Sequence, residues 1–198
     1  IDIPKNIQTE LCEFEEAEPA PYSPRPVKRE ALAAAAEALA KAKRPVILAG
    51  GGCIGSDAAE NLFAFAKKIQ APVCSTLMGL GAYPASDGQF LGMIGMHGSD
   101  APAKTFRRAD AVIACGMRFS DRVAGDRVKF REGKTVIQFD IDAAEIDKNV
   151  PADLSVMADV NEILKTLLPM LEQADRKEWL KEAAAYKEYK SDRSHVVL

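Results

Sequence analysis

Glycines, arginines and carboxylates recur in this chain just after short apolar runs, a placement suited to binding a phosphate-bearing ligand. Gly50-x-Gly52-x-x-Gly55 follows Val46-Ile47-Leu48-Ala49 and matches the dinucleotide fingerprint GxGxxG. Glycines there let main chain approach a pyrophosphate, and the following helix aims N–H groups at it. The same spacing serves any tight strand-to-helix turn, so the motif alone separates neither reading. Arg118 and Arg122 flank Asp121 after the run Ala111-Val112-Ile113-Ala114-Cys115. Arginine grips phosphate oxygens bidentately, and Asp121 could orient one guanidinium. A solvated ion-pair network is the plainer alternative, and the position at a strand end favours the ligand. Asp140-Ile141-Asp142 and Asp159-Val160 place carboxylates where ribose hydroxyls or an adenine amino group could donate to them. Asp142 and Asp159 serve equally well as N-caps of helices starting at 143 and 160.

Two further segments belong to the same set. Thr76-Leu77-Met78-Gly79 stands where an NAD-binding fold usually places an acid for the ribose. The missing acid argues against an NAD-dependent oxidoreductase, while a hydroxyl and free main-chain groups suit a nucleotide in another orientation. Gly92-Met93-Ile94-Gly95-Met96-His97-Gly98 is a glycine-spaced loop with apolar side chains that could pass over a flat aromatic ligand. A flexible connection with a structural His97 is the alternative. No Ser–His–Asp order, flanking carboxylate pair or Walker GxxxxGK[ST] stands out. Cys12, Cys53, Cys74 and Cys115 form no CxxC pair, and His97 and His195 are the only histidines, so clustered zinc ligands are missing. The sum points to an adenine dinucleotide carrying a large apolar ring, with no catalytic residue and no metal ligand.

The elements that must position these residues follow from local pattern. Residues 9–26 hold four prolines and five glutamates without apolar period, the composition of an extended linker. Residues 27–43 are rich in Ala, Glu and Lys and read as a helix. Short apolar runs at 46–49, 72–75, 111–115, 135–139 and 154–157 read as buried parallel strands. Helices are expected over 57–70, capped by Ser56 or Asp57, over 100–108 and over 160–173, with a Gly-rich loop from 79 to 98. A charged and more exposed helix is expected over 175–190. The alternation predicts an α/β, Rossmann-like, doubly wound and mostly parallel sheet of five or six strands, with helices on both faces. In such sheets ligands bind at the carboxyl ends of strands. Ile1-Asp2-Ile3-Pro4 reads as the end of a strand begun earlier, which suggests a piece of a longer protein. With 26 basic against 29 acidic residues, no basic face for nucleic acid is expected. No apolar run approaches the roughly 20 residues of a membrane span.

Thr76-Leu77-Met78-Gly79-Leu80-Gly81, the GMHG of residues 95–98, Arg118-Phe119-Ser120-Asp121-Arg122-Val123 and Asp140-Ile141-Asp142-Ala143-Ala144-Glu145-Ile146-Asp147-Lys148-Asn149 together resemble the central domain of acetohydroxyacid synthase (acetolactate synthase) large subunits. The resemblance covers about residues 1–170. It implies domain limits of 1–8 for the end of a preceding pyrimidine-binding domain, 9–26 for a linker, 27–174 for the central FAD-binding-type domain and 175–198 for a helical C-terminal linker.

The family condenses two 2-ketoacids with loss of carbon dioxide, in branched-chain amino-acid synthesis, and depends on thiamine diphosphate. Its central domain binds FAD, which takes no net redox part. The resemblance carries FAD contacts onto Gly50, Gly51, Gly52, Thr76, Leu77, Met78, Gly79, Gly95, Met96, His97, Gly98, Gly116, Met117, Arg118, Phe119, Ser120, Arg122, Asp140, Ile141, Asp159 and Val160. Met96, His97, Asp121 and Arg122 would also border the substrate channel. Ser120 departs from the family's RFDDR, Met117 stands where Ala or Val is common, and Ala158 replaces a usual Gly. The family's catalytic glutamate and its Mg²⁺- and diphosphate-holding GDG…N segment lie in other domains. The resemblance therefore implies a domain inactive alone, partnered by the other domains of its own chain, in a homodimeric or homotetrameric cytoplasmic enzyme with a small regulatory subunit. A scaffold or ADP-binding central domain of another thiamine enzyme is the alternative.

Overall fold

The computed structural model describes residues 2–18 and 25–188. Ile1, residues 19–24 of the expected linker and residues 189–198, with His195, lie outside the described residues. The strands are β1 (Pro45–Ala49), β2 (Val73–Ser75), β3 (Phe90–Met93), β4 (Ala111–Cys115), β5 (Thr135–Asp140) and β6 (Leu154–Met157). The helices are α1 (Arg29–Lys41), α2 (Gly51–Gly55), α3 (Ala59–Ile69), α4 (Asp100–Arg108), α5 (Asp121–Ala124), α6 (Arg127–Arg131), α7 (Val160–Leu167) and α8 (Lys177–Glu188). The six strands form one sheet in the order β3-β2-β1-β4-β5-β6, and every pairing is parallel.

Alternation along each strand explains why helices cover both faces. Ile47 and Ala49 of β1, Ile113 and Cys115 of β4, and Ile137 and Phe139 of β5 share one core with α1, α3 and α7. Val46 and Leu48, Val112 and Ala114, and Val136 share the other with α4, α5, α6 and α8. The central strands β1 and β4 are apolar on both sides, as a doubly covered parallel sheet demands. The described residues include no helix long and apolar enough to cross a membrane.

Several expectations are corrected. Phe90–Met93 is a strand, not part of a loop; Gly92 sits at φ 111° and the pairing with β2 shifts register between Val73 and Cys74, so its local pattern is broken. The helix expected over 57–70 is α3, Ala59–Ile69, and a separate short helix, α2, precedes it over Gly51–Gly55. Ser56 closes α2 by donating its N–H to the carbonyls of Gly52 and Ile54, and Asp57 takes a left-handed conformation at φ 54°. Ala58, not Ser56 or Asp57, stands at the start of α3 and makes no side-chain cap. α7 stops at Leu167 and gives way to a 3-10 turn over Leu168–Met170, because Pro169 donates no N–H to continue the α-helical ladder. Residues 2–4 form no strand in this structure and add nothing to the six-stranded sheet.

The helix expected to be mostly exposed is anchored instead. Trp179 and Ala183 of α8 are buried in the second core, and the Trp179 indole N–H donates to the Pro45 carbonyl at 2.8 Å. Just before it, the Arg176 guanidinium donates to the carbonyls of Leu39, Ala42 and Ile69, which end α1 and α3. One side chain thus satisfies the orphan carbonyls of two helix C-termini. Arg176→Ala is expected to lower unfolding free energy by about 2–4 kcal/mol, read by urea denaturation. An unchanged midpoint would show that water replaces the guanidinium without loss.

Candidate functional site

The strand order reverses at β1 and β4, so the crevice between their carboxyl ends is where this architecture places a ligand. Main chain fills its floor. Gly50 N–H donates to the Cys115 carbonyl at 2.9 Å, Gly52 N–H to the Gly116 carbonyl at 2.9 Å, and Gly116 N–H to the Phe139 carbonyl at 2.8 Å. Gly116 itself is left-handed at φ 56°. A Cβ on Gly50 would lie 2.2 Å from the Gly116 oxygen, and one on Gly52 would lie 2.7 Å from the Gly116 Cα. Two glycines of the fingerprint are therefore required by neighbouring main chain, whatever they bind. The Gly52 amide is already used, and Gly55 faces open space.

Above this floor stands an apolar rim. Ile54, Leu77, Met78, Leu80, Met96 and Ile141 are 47–72% exposed. They come from α2, the turn after β2, the loop after β3 and the end of β5. Main chain joins the loop after β3 to α5, since Met96 N–H donates to the Arg122 carbonyl at 2.8 Å. Gly98 N–H donates to the Gly95 carbonyl at 2.9 Å, closing the GMHG turn and presenting Met96 and His97 outward.

Arg118 and Arg122 are both exposed on this edge. Asp121 orients Arg122 only loosely, at 3.9 Å between Oδ2 and Nε with both side chains solvated, a contact worth little. The Arg122 Nη1 reaches the Met96 Sδ at 3.8 Å. Ser120 stands at the N-cap of α5 without a side-chain cap bond, and its carbonyl accepts from Val123 and Ala124. Met117 and Phe119, on either side of Arg118, are buried, and so is Val160. These three have side chains in the core and could meet a ligand only through main chain.

The carboxylates divide. Asp159 accepts from the N–H groups of Asn161 and Glu162 and caps α7, while Asp142 accepts from Ala144 N–H and caps the 3-10 turn Ala143–Glu145. Asp140 is buried, and its Oδ1 accepts from Asp142 N–H at 3.0 Å. Burial pushes its carboxyl above the ordinary range; the Asp142 N–H pulls it back, and the charges of Glu145 and Asp142 push it up again. Thr76 holds the start of the Leu77–Gly79 turn, accepting Gly79 N–H on its carbonyl at 3.0 Å.

The donor set fits a diphosphate attached to an apolar ring: two exposed guanidiniums, one of them only loosely paired with Asp121, beside a rim of Met, Leu and Ile. Among the described residues, no group of three or more His, Cys, Asp or Glu is placed to hold a metal ion. Pattern reading missed Ile54 and Leu80 in the rim, since a lone apolar residue in a turn carries no local signal. It also missed the polar side chain that touches the Arg118 peptide, from Asn149.

Residues 32–167 match the family described as the thiamine pyrophosphate enzyme, central domain. The chain is 42% identical over 191 residues to the probable acetolactate synthase large subunit of Methanocaldococcus jannaschii, an alignment covering 91% of this chain and 32% of that protein. It is 38% identical over 159 residues to the acetolactate synthase large subunit of Haemophilus influenzae, covering 77% and 28%. It is 42% identical over 176 residues to the acetolactate synthase of Mycobacterium leprae, covering 86% and 28%. The chain thus spans about a third of the length of these relatives.

Two outcomes follow from the floor and its carboxylate. Gly116→Ala is expected to cost about 2–5 kcal/mol of stability, since it adds left-handed strain to a main-chain clash; wild-type stability in denaturant would show that the floor can open. Asp140 has a raised native pKa, so its favourable contribution is complete below the unfolded value of about 3.9 and is lost as pH rises through the native value. Asp140→Asn should therefore match or exceed wild-type thermal stability at pH 7, with its relative advantage shrinking at pH 3. A larger advantage at pH 3 than at pH 7 would contradict that sign.

Proposed function

The chain belongs to the thiamine pyrophosphate enzyme central-domain family, and on that premise we propose that it is the FAD-binding central domain of an acetolactate synthase, inactive alone. The observation that carries the reading is the pair of exposed arginines, Arg118 and Arg122, beside an apolar rim at the sheet's topological switch. In this reading the guanidiniums hold the diphosphate. Met78, Met96 and Leu77 cover the flavin ring. Main chain of Gly50–Gly52, Thr76–Gly79, Gly95–Gly98 and Gly116–Ser120 passes close beneath, and Asp140, Ile141, Asp159 and Val160 border the adenosine. His97, on the outer face of the GMHG turn, borders the ring. FAD, when bound, supplies a structural part here and no net electron transfer to the condensation.

The parent enzyme in this proposal joins two 2-ketoacids with loss of carbon dioxide. Thiamine diphosphate and Mg²⁺ are held by its other domains, in a cytoplasmic homodimer or homotetramer with a small regulatory subunit. The names of the relatives support this reading. We assign residues 27–174 to the ligand-binding unit and α8 to the element that clamps it through Arg176 and Trp179.

A thermal-melt titration with FAD, with ADP and NAD as controls, tests the proposal. A ligand at a hundredfold excess over Kd stabilises by about 2.7 kcal/mol. FAD is expected to raise the melting temperature more than NAD, and Arg118→Ala to weaken that shift. No FAD shift in this chain or in the full-length parent would overturn the flavin reading and leave a scaffold. Acetolactate formed by this chain from pyruvate, thiamine diphosphate and Mg²⁺ would overturn inactivity alone.

A further inference from the structure

We propose that Asn149 is a positioning residue that aims Arg118 at the anionic part of the bound ligand by holding the 118–119 peptide; the inference rests on the flavin reading above. The Asn149 side-chain amide donates to the Arg118 carbonyl at 3.0 Å, across 31 positions of sequence. That peptide is constrained from both ends. Met117 and Phe119 bury their side chains in the core, while Arg118 between them is exposed. Phe119 sits at φ 45°, a left-handed conformation that an aromatic residue rarely adopts. Such a conformation persists only where its surroundings over-determine it, and the Asn149 amide is a donor placed to do so. Without it, rotation of the 118–119 peptide relieves the strain and turns the Arg118 side chain away from Arg122.

The donor is itself fixed. Val150, the next residue, is fully buried in the second core. Asp147, left-handed at φ 60°, accepts Ala152 N–H at 2.7 Å and closes the loop. Gln138, buried in β5, donates its amide to the Glu145 carbonyl at 3.0 Å, and Glu145 pairs with Lys148 at 2.7 Å. The loop from 141 to 152 is therefore a bracket built off β5, and the Asn149 amide joins it to the arginine segment. Asp at this position keeps size, loses the donor and adds a charge, while Ala removes the donor without a charge, so a loss shared by both reads the hydrogen bond.

The experiment compares FAD affinity and thermal stability of the chain with those of Asn149→Ala, Asn149→Asp, Arg118→Ala and the double variant Arg118→Ala/Asn149→Ala. Asn149→Ala and Asn149→Asp are each expected to weaken FAD roughly tenfold, and the double variant to bind no more weakly than Arg118→Ala. Undiminished FAD affinity in Asn149→Asp, or additive losses in the double variant, would overturn the inference. If the wild-type chain binds no FAD, the same variants are compared in the full-length parent; if neither binds, the flavin reading fails, and NMR of the chain then decides the inference. Amide and Arg118 side-chain N–H shifts confined to residues 117–122 in Asn149→Ala would support positioning, and unchanged shifts there would overturn it.

Discussion

Everything on the carboxyl edge of this sheet hangs from one main-chain contact. Where β1 and β4 end, Gly50 and Gly52 lie against Gly116 so closely that neither side has room for a Cβ. The hydrogen bonds from Gly50, Gly52 and Gly116 continue the sheet's ladder past its strands and tie it to Phe139 of β5. A gap at this point would expose unpaired main chain at the centre of the molecule, and a buried unpaired donor or acceptor costs more than a typical bond gains. The glycines are thus explained by protein packing first. A ligand above them profits from a thin floor that the fold needs in any case.

That floor lets the functional surface be made from side chains on four separate connections. The turn after β2, the GMHG turn, the 116–125 segment and the loop after β5 each begin at a strand end and lean on a neighbour through main-chain or amide contacts. Buried anchors alternate with exposed groups along them: Met117 and Phe119 hold Arg118 out, and Asp140 lies beneath exposed Ile141. The arrangement lets an edge rich in exposed methionine, leucine and arginine coexist with a well-packed core. Single apolar residues on a surface are ordinary, but here six exposed ones lie on the connections at the carboxyl ends of the strands or directly after them.

At the other end of the sheet the constraints are purely structural. Arg176 collects the carbonyl ends of α1 and α3, and Trp179 ties α8 to the first residue of β1. Asp110 does the same from β4's side, accepting the main-chain N–H groups of Lys43 and Arg44. Charged side chains that look solvated by composition thus close the turn between α1 and β1. The two ends divide the work, with polar groups closing the amino end of the sheet and exposed apolar groups gathered at the carboxyl end.

Local pattern was enough for five of the strands, for α4, and for the capping reading of Asp142 and Asp159, because each depends on residues within a few positions. Apolar runs such as Val46–Ala49 and Ala111–Cys115 are short and rich in β-branched residues, and Pro45 and the Gly50 triplet bound the first, which favours a strand buried on both faces over a helix. The expectation that a ligand sits at the strand ends followed from that alternation alone. Tertiary structure decided what distance in sequence hides. It made a strand of Phe90–Met93 by pairing it across a register shift with β2. It turned the dinucleotide fingerprint into a main-chain contact with Gly116, 64 positions from Gly52 by their numbers. It buried Trp179 of a helix whose charges suggest solvent, and it brought Asn149 to the Arg118 carbonyl. Each of these depends on a contact between segments far apart in the chain, whose energy appears only when the sheet has brought them together.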